Sequence, residues 1–97
     1  MFELNISGTK KIFTFSPKLD TANCANMDVE LMQALGTDST EVEFDMSGVD
    51  YISSIFLRIC AMAAKRIGAH KLKVTNSSPN VKKVFKIAGF DEIIDVE

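Results

Sequence analysis

Segments whose apolar residues recur at every second position alternate along this chain with segments whose apolar residues recur at steps of three and four. The order of these segments restricts the folds open to its 97 residues. Apolar and polar side chains alternate in segments 2–6 and 41–46, which predicts strands with one buried face. Segments 11–15, 71–75 and 91–96 are predicted strands as well. Three segments between them carry apolar residues at steps of three and four, which is typical of helices. The predicted order is ββαβαβαβ, with a tight turn joining the first two strands in a hairpin.

The three predicted helices have clear start and stop signals in the sequence. Helices are predicted from Asp20 or Thr21 to Leu35, from about Ser54 to Ile67, and from Pro79 to Ala88. The middle helix is apolar nearly all round, so we expect it to be the most buried, with Arg58, Lys65 and Arg66 on a narrow solvent side. The side chains expected in the core are Ala22, Ala25, Val29 and Met32 of the first helix, Val81, Val84, Phe85 and Ala88 of the third, and Phe13, Phe15, Phe44 and Val74 of the sheet.

This order of elements predicts the fold class. Strands that alternate with helices of ten or more residues favour a largely parallel sheet with right-handed crossovers. We therefore expect an α/β fold with a mixed sheet, in which an opening hairpin is followed by parallel strands and three helices. The length fits one compact domain over residues 1–97 and leaves no room for two.

Composition and charge exclude several classes of partner. The net charge is −2 and the basic residues are scattered, so the sequence predicts no nucleic-acid surface and no attraction to anionic membrane. The N-terminus lacks a signal-peptide pattern, and every apolar run is far shorter than the roughly 20 residues that span a bilayer. Cys24 and Cys60 lack C-x-x-C spacing and are interpreted as buried, reduced thiols. These features predict a cytoplasmic protein.

The side chains that carry enzyme chemistry are sparse. There is no phosphate-cradling glycine loop, and one histidine with two distant cysteines does not supply a metal site. His70 is interpreted as a solvated turn residue, with a phosphocarrier histidine or small enzyme as the alternative. Asp20, Asp45 and Asp50 could gather at the carboxyl ends of strands, but caps and turns explain each of them separately. We therefore expect no catalytic residues, no cofactor and no enzyme activity.

Three motifs, in order and at the right spacing, carry a family resemblance. Residues 44–58 resemble the strand-loop-helix signature of STAS domains, D-x-S-x-V/L-x-[FY]-[IM]-[DS]-S-[SA]-G-[LM]. Residues 19–23 resemble the L-D-x-x-[NT] start of the family's first helix. Residues 78–85 resemble its S-P-x-V-x-[KR]-x-[FL] third helix, and Ala88-Gly89-Phe90 resembles the ending that follows. The resemblance covers nearly the whole chain and implies a STAS fold.

The resemblance also implies a function. In the anti-sigma-factor-antagonist branch of the family, an anti-sigma factor that is itself a serine kinase phosphorylates a serine at the start of the second helix. The matching residue here is Ser54, with Ser53 as the alternative. A phosphate is stabilised at a helix N-terminus, where unpaired N–H groups and the positive dipole end lie. Without the resemblance, the two serines would be interpreted as an ordinary N-cap pair.

The chain departs from the family pattern directly after this serine. Ile55-Phe56 stands where the family has a small residue and glycine. We expect Phe56 to be partly exposed and to contact a protein partner, because it lies beside Ser54 at a helix start. The residues expected to bind the partner are Asp20, Asp50, Tyr51, Ser53, Ile55, Phe56 and Arg58.

The resemblance implies an anti-sigma factor antagonist, with ATP held by the partner kinase, and we expect the protein to be a monomer or weak dimer. The first alternative is a STAS scaffold or sensor module that binds a protein without phosphoryl transfer. The second is the phosphocarrier or enzyme that would use His70.

Overall fold

The computed structural model describes residues 2–25, 27–36 and 41–97. The strands in these ranges are β1 (Phe2–Ser7), β2 (Lys10–Phe15), β3 (Lys18–Leu19), β4 (Glu41–Asp45), β5 (Tyr51–Ile52), β6 (Leu72–Thr75) and β7 (Asp95–Val96). The α-helices are α1 (Thr21–Cys24), α2 (Met27–Leu35), α3 (Ser54–Ile67) and α4 (Pro79–Ile87). Short 3-10 turns cover Ala69–Lys71 and Phe90–Glu92.

The main sheet has five strands in the order β1-β2-β4-β6-β7. Strands β1 and β2 form the antiparallel hairpin, and every other pair in this sheet is parallel. The mixed α/β class and the opening hairpin are therefore confirmed. The register pairs Phe13 with Phe44 and Phe44 with Val74, so these three side chains lie on one face of the sheet. All three are fully buried beneath the helices.

Helix α4 packs much as its periodicity predicts. Val81 and Phe85 are buried, and Val84 is half-buried against the same core. Ala88 is exposed, so its place in the predicted core face is wrong. It is the C-cap residue, which lies beyond the last helical turn that packs on the sheet. Phe15, expected in the sheet core, is half-buried and packs against it.

The segment predicted as the first helix differs most from expectation. It is divided into α1, whose C-cap is Ala25, and α2, which begins at Met27. The buried side chains on it are Cys24, Met27, Leu31 and Leu35. The predicted stripe is largely wrong, because Ala22, Ala25 and Val29 are exposed, whereas Met32 is half-buried and packs against the core. The longer side chains of the true stripe bury more apolar area than alanines do, and that area decides which face turns inward.

Helix α3 has the predicted bounds and lies across the sheet. Its buried residues are Phe56, Ile59, Cys60, Ala63, Ala64 and Ile67. The solvent side of α3 is wider than predicted, because it includes three residues besides Arg58, Lys65 and Arg66. Its exposed residues are Ser54, Arg58, Ala61, Met62, Lys65 and Arg66.

Candidate functional site

A short parallel pairing outside the main sheet builds the candidate site. Lys18 of β3 pairs with Tyr51 of β5, and Leu19 pairs with Ile52. The N–H of Ser53 donates to the carbonyl of Leu19 at 2.9 Å. This pairing places the start of α1, where Asp20 is the N-cap, beside the start of α3. Two residues far apart in sequence, Asp20 and Ser53, therefore follow paired strands at the same edge.

The first turn of α3 has unpaired backbone donors. Ser53 is the N-cap with extended backbone, and its carbonyl accepts from the N–H groups of Phe56 at 3.1 Å and Leu57 at 3.2 Å. Within the described ranges, the N–H groups of Ser54 and Ile55 have no acceptor. Free N–H groups and the positive end of the helix dipole form a suitable environment for an anion.

The two serines at this helix start point in different directions. Ser53 is only 7% exposed, and its hydroxyl makes no well-formed hydrogen bond within the described part of the chain. The nearby thiol of Cys24 has its pKa raised by burial, and the Ser53 hydroxyl lowers that pKa in part. Ser54, the first helical residue, is exposed. The sequence could not separate the two, because both residues are equally suited to a cap.

Asp45 and Ser47 of the strand-loop-helix motif stabilise the loop that precedes α3. The Asp45 carboxylate accepts from the N–H of Ser47 at 2.9 Å and from the side-chain amide of Asn76 at 3.0 Å. Burial alone would raise the pKa of Asp45, but these hydrogen bonds outweigh it and the pKa lies below its usual value. Asp20 accepts from the N–H of Asn23 at 2.9 Å. Asp45 therefore stabilises a turn and Asp20 caps a helix, which agrees with the interpretation of these aspartates as cap and turn residues.

Phe56 overturns one prediction. Its side chain is 0% exposed and packs against the rings of Phe15 and Phe44, with centroids 5.2 and 6.4 Å away. The expectation that it is partly exposed and contacts a partner is wrong. It is the third residue of α3, and that position faces the sheet rather than the solvent. Its bulk therefore fills the core where a glycine would leave space, and it does not cover Ser54.

The other residues predicted to contact the partner differ in their exposure to solvent. Asp50, Tyr51, Ser54 and Arg58 are exposed, and Tyr51 shows 52% of its surface. Asp20 and Ile55 are half-buried. We call Asp20, Asp50, Tyr51, Ser54 and Arg58 the switch surface, since they surround the start of α3.

The structure gives little support to other sites within the described residues. They contain no group of three metal-ligating side chains. His70 is exposed in the 3-10 turn after α3, at the opposite end of that helix from Ser54. None of the helices in the described ranges is long and apolar enough to cross a membrane.

Sequence comparison and fold comparison agree on the class of protein. The profile of the family described as "Mlab, STAS domain" matches residues 4–95. The protein named "Putative anti-sigma factor antagonist BtrV" from Bordetella bronchiseptica is 31% identical over 80 residues, which is 80% of this chain and 69% of that protein.

The solved structures of SpoIIAA share the fold. The anti-sigma factor antagonist SpoIIAA in its unphosphorylated form gives a TM-score of 0.83 at 16% identity, covering 100% of this chain and 88% of that one. SpoIIAA described as a Bacillus cell fate determinant, in its phosphorylated form, gives 0.74 at 15% identity, covering 100% and 91%. The fold thus defines a small α/β domain with a mixed five-stranded sheet. This chain belongs to the STAS domain family, and the relatives named here are of the anti-sigma-factor-antagonist type.

Proposed function

We propose that this protein is a cytoplasmic, single-domain anti-sigma factor antagonist, a non-catalytic switch controlled by phosphorylation of Ser54. The observation that carries the proposal is an exposed Ser54 hydroxyl at the start of a 14-residue helix, beside two unpaired N–H groups. The names of BtrV and SpoIIAA support an anti-sigma factor as the partner. The buried Ser53 hydroxyl is a poor kinase substrate by comparison.

In the unphosphorylated state, the switch surface binds the anti-sigma factor and frees the transcription factor that it holds. The partner's kinase activity then reverses this. The Ser54 oxygen attacks the γ-phosphorus of ATP bound by the partner, an O–P bond forms, ADP leaves, and the hydroxyl proton passes to a base of the kinase. The added charge of about −1.5 to −2 lies on the binding surface, so it weakens the complex without refolding the domain.

The test is phosphorylation by the candidate partner. The chain is incubated with the serine kinase of the anti-sigma type from the same genome and ATP, and phosphopeptides are located by mass spectrometry. We expect phosphate on Ser54, loss of labelling in Ser54→Ala, and labelling of the matched control Ser53→Ala. Phosphate on another serine, such as Ser78, would show that the switch lies on a different helix.

Binding provides the second half of this test. Ser54→Ala should keep its affinity for the partner, whereas Ser54→Asp should weaken it roughly tenfold or more, because one negative charge enters the interface. Isothermal titration calorimetry measures both.

The alternative is a STAS scaffold or sensor module that binds a protein without phosphoryl transfer. The partly exposed Ile55, directly after Ser54, favours it because a kinase must approach closely there. Unchanged binding of Ser54→Asp together with no labelling would support this alternative.

A further inference from the structure

Ser54 and Arg58 lie four residues apart on the exposed side of α3. Side chains at this spacing are neighbours on a helix, with Cβ atoms about 5–6 Å apart. Arg58 makes no ion pair within the described ranges, and α3 itself contains no acidic residue. An uncommitted guanidinium therefore lies one turn after the proposed phosphorylation site.

We propose that Arg58 is the phosphate-binding residue of this switch, and that its guanidinium binds the phosphate once Ser54 is modified. The proposal rests on the proposed function, since it requires that Ser54 carries phosphate. The modification then changes two features of the switch surface: it adds a negative group and occupies the cation beside it. A partner carboxylate that binds Arg58 in the unmodified chain loses its contact.

The chemistry of the two groups favours this pairing. A guanidinium presents a planar fork of N–H donors that matches two phosphate oxygens, which makes the contact stronger than a point-charge contact. The order of the two residues along α3 is also favourable, because an anion that precedes a cation by four residues stabilises a helix more than the reverse order does. The unpaired N–H groups of Ser54 and Ile55 lie at the same helix start, so within the described ranges they are further hydrogen-bond donors for the phosphate.

Among the other charged groups near this helix start, the exposed Lys18 of β3 pairs with Tyr51 and lies on a separate element from Ser54. Asp20 and Asp50 have the same sign as phosphate and oppose it, while Tyr51 is the exposed phenol of β5. Helix α4 contacts β5 and carries the exposed Lys82 and Lys83, on a separate element from Ser54. On α3, Lys65 is the next cation after Arg58. It lies about 16 Å along the axis from Ser54, against about 6 Å for Arg58.

The experiment does not need the partner or its kinase. Phosphoserine is incorporated at position 54 during translation, and the phosphate is titrated by ³¹P NMR. An adjacent cation stabilises the dianion, so Arg58→Gln should raise the phosphoserine pKa, ordinarily about 6, by roughly half a unit. Arg58→Lys should give a smaller rise, because charge remains and the fork is lost. Lys65→Gln, the matched control, should leave the titration unchanged.

An unchanged phosphate titration in Arg58→Gln would overturn the inference, and an equal rise in Lys65→Gln would show a general charge effect instead. This result is independent of the kinase assay. If the kinase fails to label Ser54, the proposed function fails even when Arg58 binds an incorporated phosphate. If the kinase labels Ser54 and the titration does not respond to Arg58, only the inference fails.

Discussion

The direction of single side chains decides what each residue in the first turn of α3 can do. Phe56 illustrates this best, because its departure from the family pattern led to a wrong expectation of exposure. The correct signal was present in the sequence. Phe56 is in helical phase with Ile59, Cys60, Ala63 and Ile67, all of which are buried. The STAS motif has glycine at this position and says nothing of where a larger side chain would point. The 3.6-residue period of the helix decides that the Phe56 ring points into the core.

Removal of the Phe56 ring should destabilise the whole domain. Phe56→Ala leaves a cavity against Phe15 and Phe44, and such changes cost about 3–5 kcal/mol. That is a large fraction of the 5–15 kcal/mol typical of a domain. Urea denaturation measures the loss, and Leu57→Ala, which truncates a half-buried neighbour, should cost less than half as much. Equal losses in the two variants would contradict the assignment of Phe56 to the core.

Individual helices depend on contacts that hydrophobic patterns do not reveal. The end of α2 is held from two directions: the Lys11 ammonium donates to the carbonyls of Ala34 at 2.9 Å and Leu35 at 3.0 Å, and Arg66 donates to the carbonyl of Gly36 at 3.1 Å. Carbonyls at a helix C-terminus lack intrahelical partners, and cations are favourable there. The sequence places Lys11 in a strand with no sign of this role, because the contact spans 23 residues.

Loss of this cap should affect α2 before the rest of the molecule. Lys11→Met keeps the length of the side chain but removes both hydrogen bonds, so we expect a cost of about 1–2 kcal/mol. Hydrogen exchange should accelerate in the last turn of α2, and the melting temperature should fall by several degrees. Lys18→Met, an exposed lysine of β3, is the control and should change neither measurement. Unaltered exchange in α2 would show that Lys11 does not stabilise that end.

The arrangement of the whole molecule was largely predictable because long strands and helices have distinct periods. The order of elements, the opening hairpin and the bounds of α3 follow from alternation and caps. The β3–β5 pair does not, since two-residue strands are too short to show a period. Yet this pair joins Asp20 to the start of α3, so the geometry of the switch surface depends on tertiary contacts that sequence patterns cannot reveal.

The sheet face opposite the helices carries an ion pair that makes the stability of the whole domain depend on pH. Glu43 lies 2.7 Å from the Lys10 ammonium and accepts from the Thr75 hydroxyl at 2.7 Å. The hydrogen bond from Lys10 and that from Thr75 hold the pKa of Glu43 below its usual value, and Glu43 raises the pKa of Lys10. A carboxyl whose folded pKa is lowered binds fewer protons in the folded state. Its stabilising effect is therefore present above the unfolded pKa of about 4.3 and is lost as pH falls through the folded value.

Glu43→Gln should therefore reduce the free energy of unfolding at pH 7, and this loss should stay nearly constant until the pH approaches the unfolded pKa of about 4.3. The difference between the two proteins should shrink below about pH 4.3, where the carboxyl of the natural chain becomes protonated. It should also shrink in strong alkali, because Lys10, whose folded pKa is raised, loses its charge there. Urea denaturation across this range measures the difference. Asp95→Asn is the control, because its exposed carboxylate lies 3.9 Å from Lys73 and contributes little. A difference for Glu43→Gln that stays constant down to pH 2.5, well below the titration of an ordinary carboxyl, would mean that packing rather than charge at Glu43 stabilises the sheet.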